Sequence, residues 1–129
     1  MEIINRIMTN ICSDQLAESK VFYTKLFDLK VDFESDWFIH LISEHKDFEL
    51  GIIRKTNEIV PKAAQVDPTG FYITFVVNQV DDLYELAQAE NMEVITPPEN
   101  TFYGQRRMVL KDPNGAFLDI SSPIPDFEF

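Results

Sequence analysis

Residues 70–77, "GFYITFVV", are rich in aromatic and β-branched side chains and predict a strand. Alternation places Phe71, Ile73, Phe75 and Val77 on one face and Tyr72, Thr74 and Val76 on the other. The first set suits a helix-covered core, and the second, more mixed, suits the lining of a cleft. The period then changes. Asn78 can cap a helix running to about Asn91, with Asp81 and Asp82 in the first turn, where the helix dipole favours acid. Val80, Leu83, Tyr84 and Ala87 recur along it at i, i+3, i+4 and i+7, which is one face. Three strand-like runs follow: "MEVITP" (92–97), then, after a proline-rich loop, "QRRMVLK" (105–111) and "AFLDIS" (116–121).

The first half repeats this order. Residues 3–12 read as a strand, and Asp14 can cap a helix over 15–27. Its inner side is expected to carry Ala17, Val21, Phe22 and Leu26, with Tyr23 and Phe27 nearby. "LKVDFES" (29–35), "DWFIHLIS" (36–43) and "FELGII" (48–53) are strand-like. The polar stretch 54–70 has two prolines and no clear period, so it reads as a linker between halves, or a lid. The chain is thus expected to be a single domain over 1–129, with module 1 at about 1–55 and module 2 at about 70–125. Each module is strand–helix–strand–strand–strand. One helix covers only one face of four strands. The expected fold is therefore α+β, two βαβββ modules forming a curved mixed sheet with a concave cleft.

The last strand raises a chemical question. In "KDPNGAFLDI" (111–120), Pro113 presets φ for a turn, Asn114 tolerates the next position and Gly115 supplies a positive φ at the exit. A hairpin follows, and Asp119 then falls within an apolar strand, where a charge needs a partner. Phe117, Asp119 and Ser121 share one face, while Leu118 and Ile120 share the other and suit the core. Asp119 is expected on the open side with Tyr72 and Thr74.

Composition narrows the classes. A chain of 129 residues, 45% apolar and 26% charged, is about one ordinary globular domain. The single cysteine, Cys12, cannot form an internal disulfide, which fits a reducing compartment. No leader pattern opens the sequence and no apolar run reaches the ~18 residues of a membrane span, so no membrane partner and a cytoplasmic location are expected. A net charge of −11 disfavours nucleic acid, which needs a basic face, and would attract a cationic ligand.

"LAESKVFYTKLFDLKVDF", "FYITFVVNQVDDLYELAQAENMEV" and "YGQRRMVLKDPNGAFLDISSP" together resemble the vicinal oxygen chelate superfamily, which includes glyoxalase I, extradiol dioxygenases and the bleomycin-resistance proteins. The resemblance covers nearly the whole chain. It implies paired βαβββ modules usually completed by a second chain, and hence a homodimer. It also implies a metal-ligand position in the first and last strand of each module, typically histidine or glutamine paired with glutamate. Carried over, these positions are Met8 (with one-residue ambiguity towards Ile7 and Thr9), Glu49, Tyr72 and Asp119. Met8 and Tyr72 stand where imidazoles would be expected, so no metal and no cofactor is expected. The resemblance then favours the binding members, which sequester a drug without metal catalysis.

Other residues bear on the same site. His40 and His45, five apart, are expected as one half-buried and one surface histidine. Glu49 and Asp119 could form a paired-carboxylate acid–base site. Trp37, Phe38, Phe102 and Tyr103 could stack on a planar or cationic ligand. Arg106 and Arg107 point in opposite directions along a strand, so at most one faces inward, where it would suit a carboxylate or phosphate. There is no Gly-rich phosphate loop, nucleophile elbow or Cys/His pair. The expected function is binding of a small aromatic or cationic molecule, an antibiotic included, by Tyr72, Asp119, Glu49, Trp37, Tyr103 and Thr74. The alternatives are a metal-dependent lyase, isomerase or dioxygenase, and a partner-binding protein with a vestigial cleft.

Overall fold

The computed structural model describes residues 1–128, which form two compact units, Met1–Pro68 and a second from Thr69 onward. The first contains β1 (Thr9–Ser13), α1 (Leu16–Phe27), β2 (Lys30–Glu34), β3 (Phe38–Ile42), β4 (Glu49–Arg54) and a 3₁₀ turn at Lys62–Ala64. The second contains β5 (Tyr72–Val76), α2 (Val80–Ala89), β6 (Glu93–Asn100), β7 (Gln105–Lys111) and β8 (Phe117–Pro123). The strand orders are β1-β4-β3-β2 and β5-β8-β7-β6, two four-stranded mixed sheets of one topology. In each, the opening strand runs parallel to the last and the other pairs are antiparallel. A parallel pair needs a crossover, which the helix and two intervening strands supply.

Each helix packs on one face of its own sheet. In the first unit α1 packs on β3 and β4, and Phe22, Tyr23 and Leu26 are buried, as are Ile11, Ile39, Leu41, Leu50 and Ile52 of the sheet. In the second, Val80 and Ala87 meet Met108, Leu110, Leu118 and Ile120, none more than 0% exposed. Burial of one such aliphatic side chain stabilises by about 1.5–3 kcal/mol, so these faces set the register of both sheets.

Several sequence expectations are corrected in detail. Strand pairing begins at Thr9, not residue 3, and Ile3, Ile4 and Ile7 are exposed. The buried stripe of α1 is Ser19, Phe22, Tyr23 and Leu26, whereas Val21 and Ala17 face out. Ser19 is tolerated inside because its hydroxyl donates to the Gln15 carbonyl at 2.6 Å. Neither Asp14 nor Asn78 caps a helix. The N-cap residues are Gln15 and Gln79, without side-chain caps. Ser13 Oγ instead accepts the Gln15 N–H, Ser122 Oγ of β8 accepts the Val80 N–H, and Asp14 pairs with Lys55. β6 runs on past Pro97 through Pro98 to Asn100, where a loop was expected. β6 is the edge strand and its pairing shifts register there, so a missing N–H breaks no ladder.

The polar stretch after β4 is folded onto the first unit. Val60 is buried, Gln65 Nε2 donates to the carbonyls of Asn57 and Val60, and Lys55 Nζ bridges Asp14 and Asp67 at 2.9 and 2.8 Å. Among the described residues no helix is long and apolar enough to cross a membrane.

Candidate functional site

The face of each sheet away from its helix carries one charged cluster. In the first unit, β3 and β4 pair His40 with Gly51 and Ile42 with Glu49, so His40 and Glu49 lie two residues apart on one face. His40 Nε2 is 2.8 Å from Glu49 Oε1, and His40 Nδ1 is 3.2 Å from Asp32 Oδ2. Arg6 donates from Nε to Glu49 Oε2 at 2.7 Å, and its Nη2 lies 3.9 Å from Met8 Sδ. Gly51 makes room for this row: a Cβ there would sit 2.2 Å from Asn10 Oδ1 and 3.0 Å from the Phe38 ring. Hydrogen bonds from Arg6 first, and from His40 next, hold the Glu49 carboxyl down at about 2.

In the second unit, Thr74 of β5 stands directly opposite Asp119 of β8. Thr74 Oγ1 donates to Asp119 Oδ2 at 3.0 Å. Arg107 Nε lies 3.0 Å from Asp119 Oδ1, an ion pair too poorly aligned to be a hydrogen bond, and both atoms are buried. Leu118 and Ile120 are fully buried on the helix side, which leaves Asp119 on the open face. Arg106 points the other way. It donates from Nε and Nη2 to Asp81 at the start of α2, at 2.9 and 3.1 Å. Of the adjacent arginines, then, Arg107 alone joins Asp119.

The remaining candidates divide between the units. Tyr72 is 60% exposed on the face of Thr74 and Asp119, in register with the exposed Phe117. Tyr103 lies in the loop before β7, edge-on to the exposed Phe102 with ring centroids 5.2 Å apart. Trp37 is half-buried between β2 and β3, 5.7 Å from the Phe38 ring. His45 is exposed in the turn after β3. Cys12 lies 3.4 Å from the Ala64 carbonyl, and burial pushes its thiol up, with Lys55 acting weakly in the other direction. That thiol is poorly suited to nucleophilic work.

Sequence reasoning passed over three of these partners. His40 is half-buried as expected, yet it is bonded to Glu49 and not isolated. The signal was the short β3–β4 connection, which fixes which residues share a face. Arg107 could be found only once register separates it from Arg106. Arg6 was read within a strand over 3–12, but it precedes β1 and reaches Glu49 from outside the sheet.

The four positions that the resemblance assigns to metal ligands do not fit a transition ion. Met8 offers a thioether and Tyr72 an exposed phenol, and each carboxylate already faces a guanidinium of its own unit. Among the described residues no group of three or more His, Cys, Asp or Glu is arranged to hold a metal.

The family profile for the glyoxalase/bleomycin resistance protein/dioxygenase superfamily matches residues 3–120. A family enzyme of that description from Burkholderia phytofirmans PsJN is 24% identical, with a TM-score of 0.77, covering 91% of this chain and 97% of its own. A superfamily member from Sphaerobacter thermophilus DSM 20745 is 17% identical, with a TM-score of 0.75, over 92% and 98% of the two chains. A hypothetical protein of S. aureus is 19% identical, with a TM-score of 0.74, over 94% and 95%. At these identities the likeness is one of fold. No curated protein matches the chain significantly. With the profile spanning both units, the chain belongs to the glyoxalase/bleomycin resistance protein/dioxygenase superfamily.

Proposed function

We propose that the protein binds and sequesters a small aromatic molecule, an antibiotic or similar compound, without a bound metal. The observation that carries this is the pairing of each last-strand carboxylate with an arginine of its own unit, Glu49 with Arg6 and Asp119 with Arg107. A guanidinium beside a carboxylate competes with a metal cation for the same oxygens. The ligand would lie on the open face of the second sheet, against Tyr72, Thr74 and Tyr103, with Asp119 beneath. Trp37 and Glu49 offer the corresponding aromatic and charged groups in the first unit.

A second reading, a lyase or isomerase, is supported by His40 between Asp32 and Glu49. An imidazole held by two carboxylates can accept and return a proton. We also propose a cytoplasmic homodimer. The exposed Ile3, Ile4 and Ile7 are apolar surface that a second copy would cover.

A thermal-shift screen of aromatic compounds tests the binding function, because a ligand of the folded state raises the melting temperature. At least one compound is expected to do so, and Tyr72→Ala should remove the shift. A panel without effect, or a shift that survives Tyr72→Ala, contradicts it.

A further inference from the structure

We infer that the ligand of the second sheet is anionic, an aromatic carboxylate whose carboxyl group is taken by the terminal nitrogens of Arg107; this rests on the binding function proposed above and gives it a substrate class. Two groups of opposite sign meet on this face, and their accessibility decides between them. Asp119 keeps 11% of its side-chain surface exposed and Arg107 keeps 33%. One carboxylate oxygen of Asp119 accepts the Thr74 hydroxyl, and the other is buried out of reach of solvent beside Arg107 Nε. A ligand cation approaching Asp119 therefore finds one of its oxygens buried and the other already accepting a hydroxyl.

Arg107 is disposed the other way. Its Nε is buried 3.0 Å from Asp119 Oδ1, which anchors that end of the guanidinium. Its two terminal nitrogens make no hydrogen bond to any described residue. Glu99 stands opposite Arg107 in the β6–β7 register without forming an ion pair with it. Two parallel N–H groups on a planar fork match the two oxygens of a carboxylate. Burial works against the charge of Arg107, but Asp119 more than offsets it and Tyr103 and Tyr72 add to it, so its pKa lies above the ordinary value. Tyr72 shares the face of Asp119, Tyr103 lies in the loop that leads into the strand of Arg107, and both expose ring surface that an aromatic group could cover. Asp119 is then a positioning residue, not a contact.

The test is a set of matched probes: phenylacetate, neutral phenylacetamide and cationic 2-phenylethylamine. Each is titrated into ¹⁵N-labelled protein while the Arg107 Nε–H resonance is followed. Phenylacetate should move that resonance and bind roughly tenfold tighter than the amide, as a charge-assisted pair implies. Arg107→Lys keeps a charge beside Asp119, so the fold is retained, but it loses the fork and should lose the preference. Arg106→Lys, on the helix side, should keep it. Equal binding of the amide on this face, or tighter binding of the amine, overturns the anionic assignment while leaving small-molecule binding intact. Failure of all three probes to perturb the face overturns both.

Discussion

Glu49 shows how much one side chain's partners decide. Its position in the last strand of the first unit was legible from the alternation of "FELGII", but the partners that set its chemistry were not, since Arg6 and His40 reach it from other segments. Their bonds hold its pKa at about 2, against an ordinary 4.5. A carboxyl depressed on folding contributes stability above its unfolded pKa and loses that contribution as pH falls through the folded one. The contribution of Glu49 is therefore complete above about 4.5 and lost by about 2. Glu49→Gln should flatten this acid limb of the unfolding profile. Because Arg6 is largely exposed, the difference should shrink in high salt. Superimposable wild-type and variant profiles in low salt would contradict it. Asp119 follows the same lesson. Its face could be read from the buried Leu118 and Ile120 on either side, but its guanidinium partner could not, because Arg106 and Arg107 are identical until register separates them.

At the scale of elements, most strands were legible from alternation, and β2, exposed along its whole length, was as legible as those with a buried face. β3, β7 and β8 have sharp aliphatic patterns and fall close to their expected spans. β6 has an alternating but mostly exposed face, and its prolines hid its length. The caps were misplaced because buried serines of neighbouring strands, Ser13 and Ser122, do the work expected of Asp14 and Asn78. The β7–β8 turn was read correctly from its residues. Gly115 has φ of +90° and its N–H bonds the Asp112 carbonyl at 3.1 Å. What the motif did not reveal is the role of Asp112, which is buried and whose Oδ1 accepts the N–H groups of Asn114 and Ala116, each at 2.8 Å. Asp112→Ala leaves both donors without that acceptor and is expected to cost about 2 kcal/mol. Urea unfolding should show a lowered midpoint with an unchanged slope; a midpoint equal to wild type would contradict the role.

For the whole molecule, the repeated strand–helix–strand–strand–strand order was visible as two successive patterns, and both units carry it with the same strand order. The proposed dimer belongs to this scale. Light scattering should give twice the chain mass of 15.0 kDa across micromolar concentrations, and the monomer mass throughout would contradict it. The central claim is that the arginines, not a metal, hold the two last-strand carboxylates. Elemental analysis of protein purified without chelator tests it most directly. The expected result is nickel, zinc and iron far below one equivalent per chain. One tightly bound equivalent that disappears in Asp119→Ala would contradict the account.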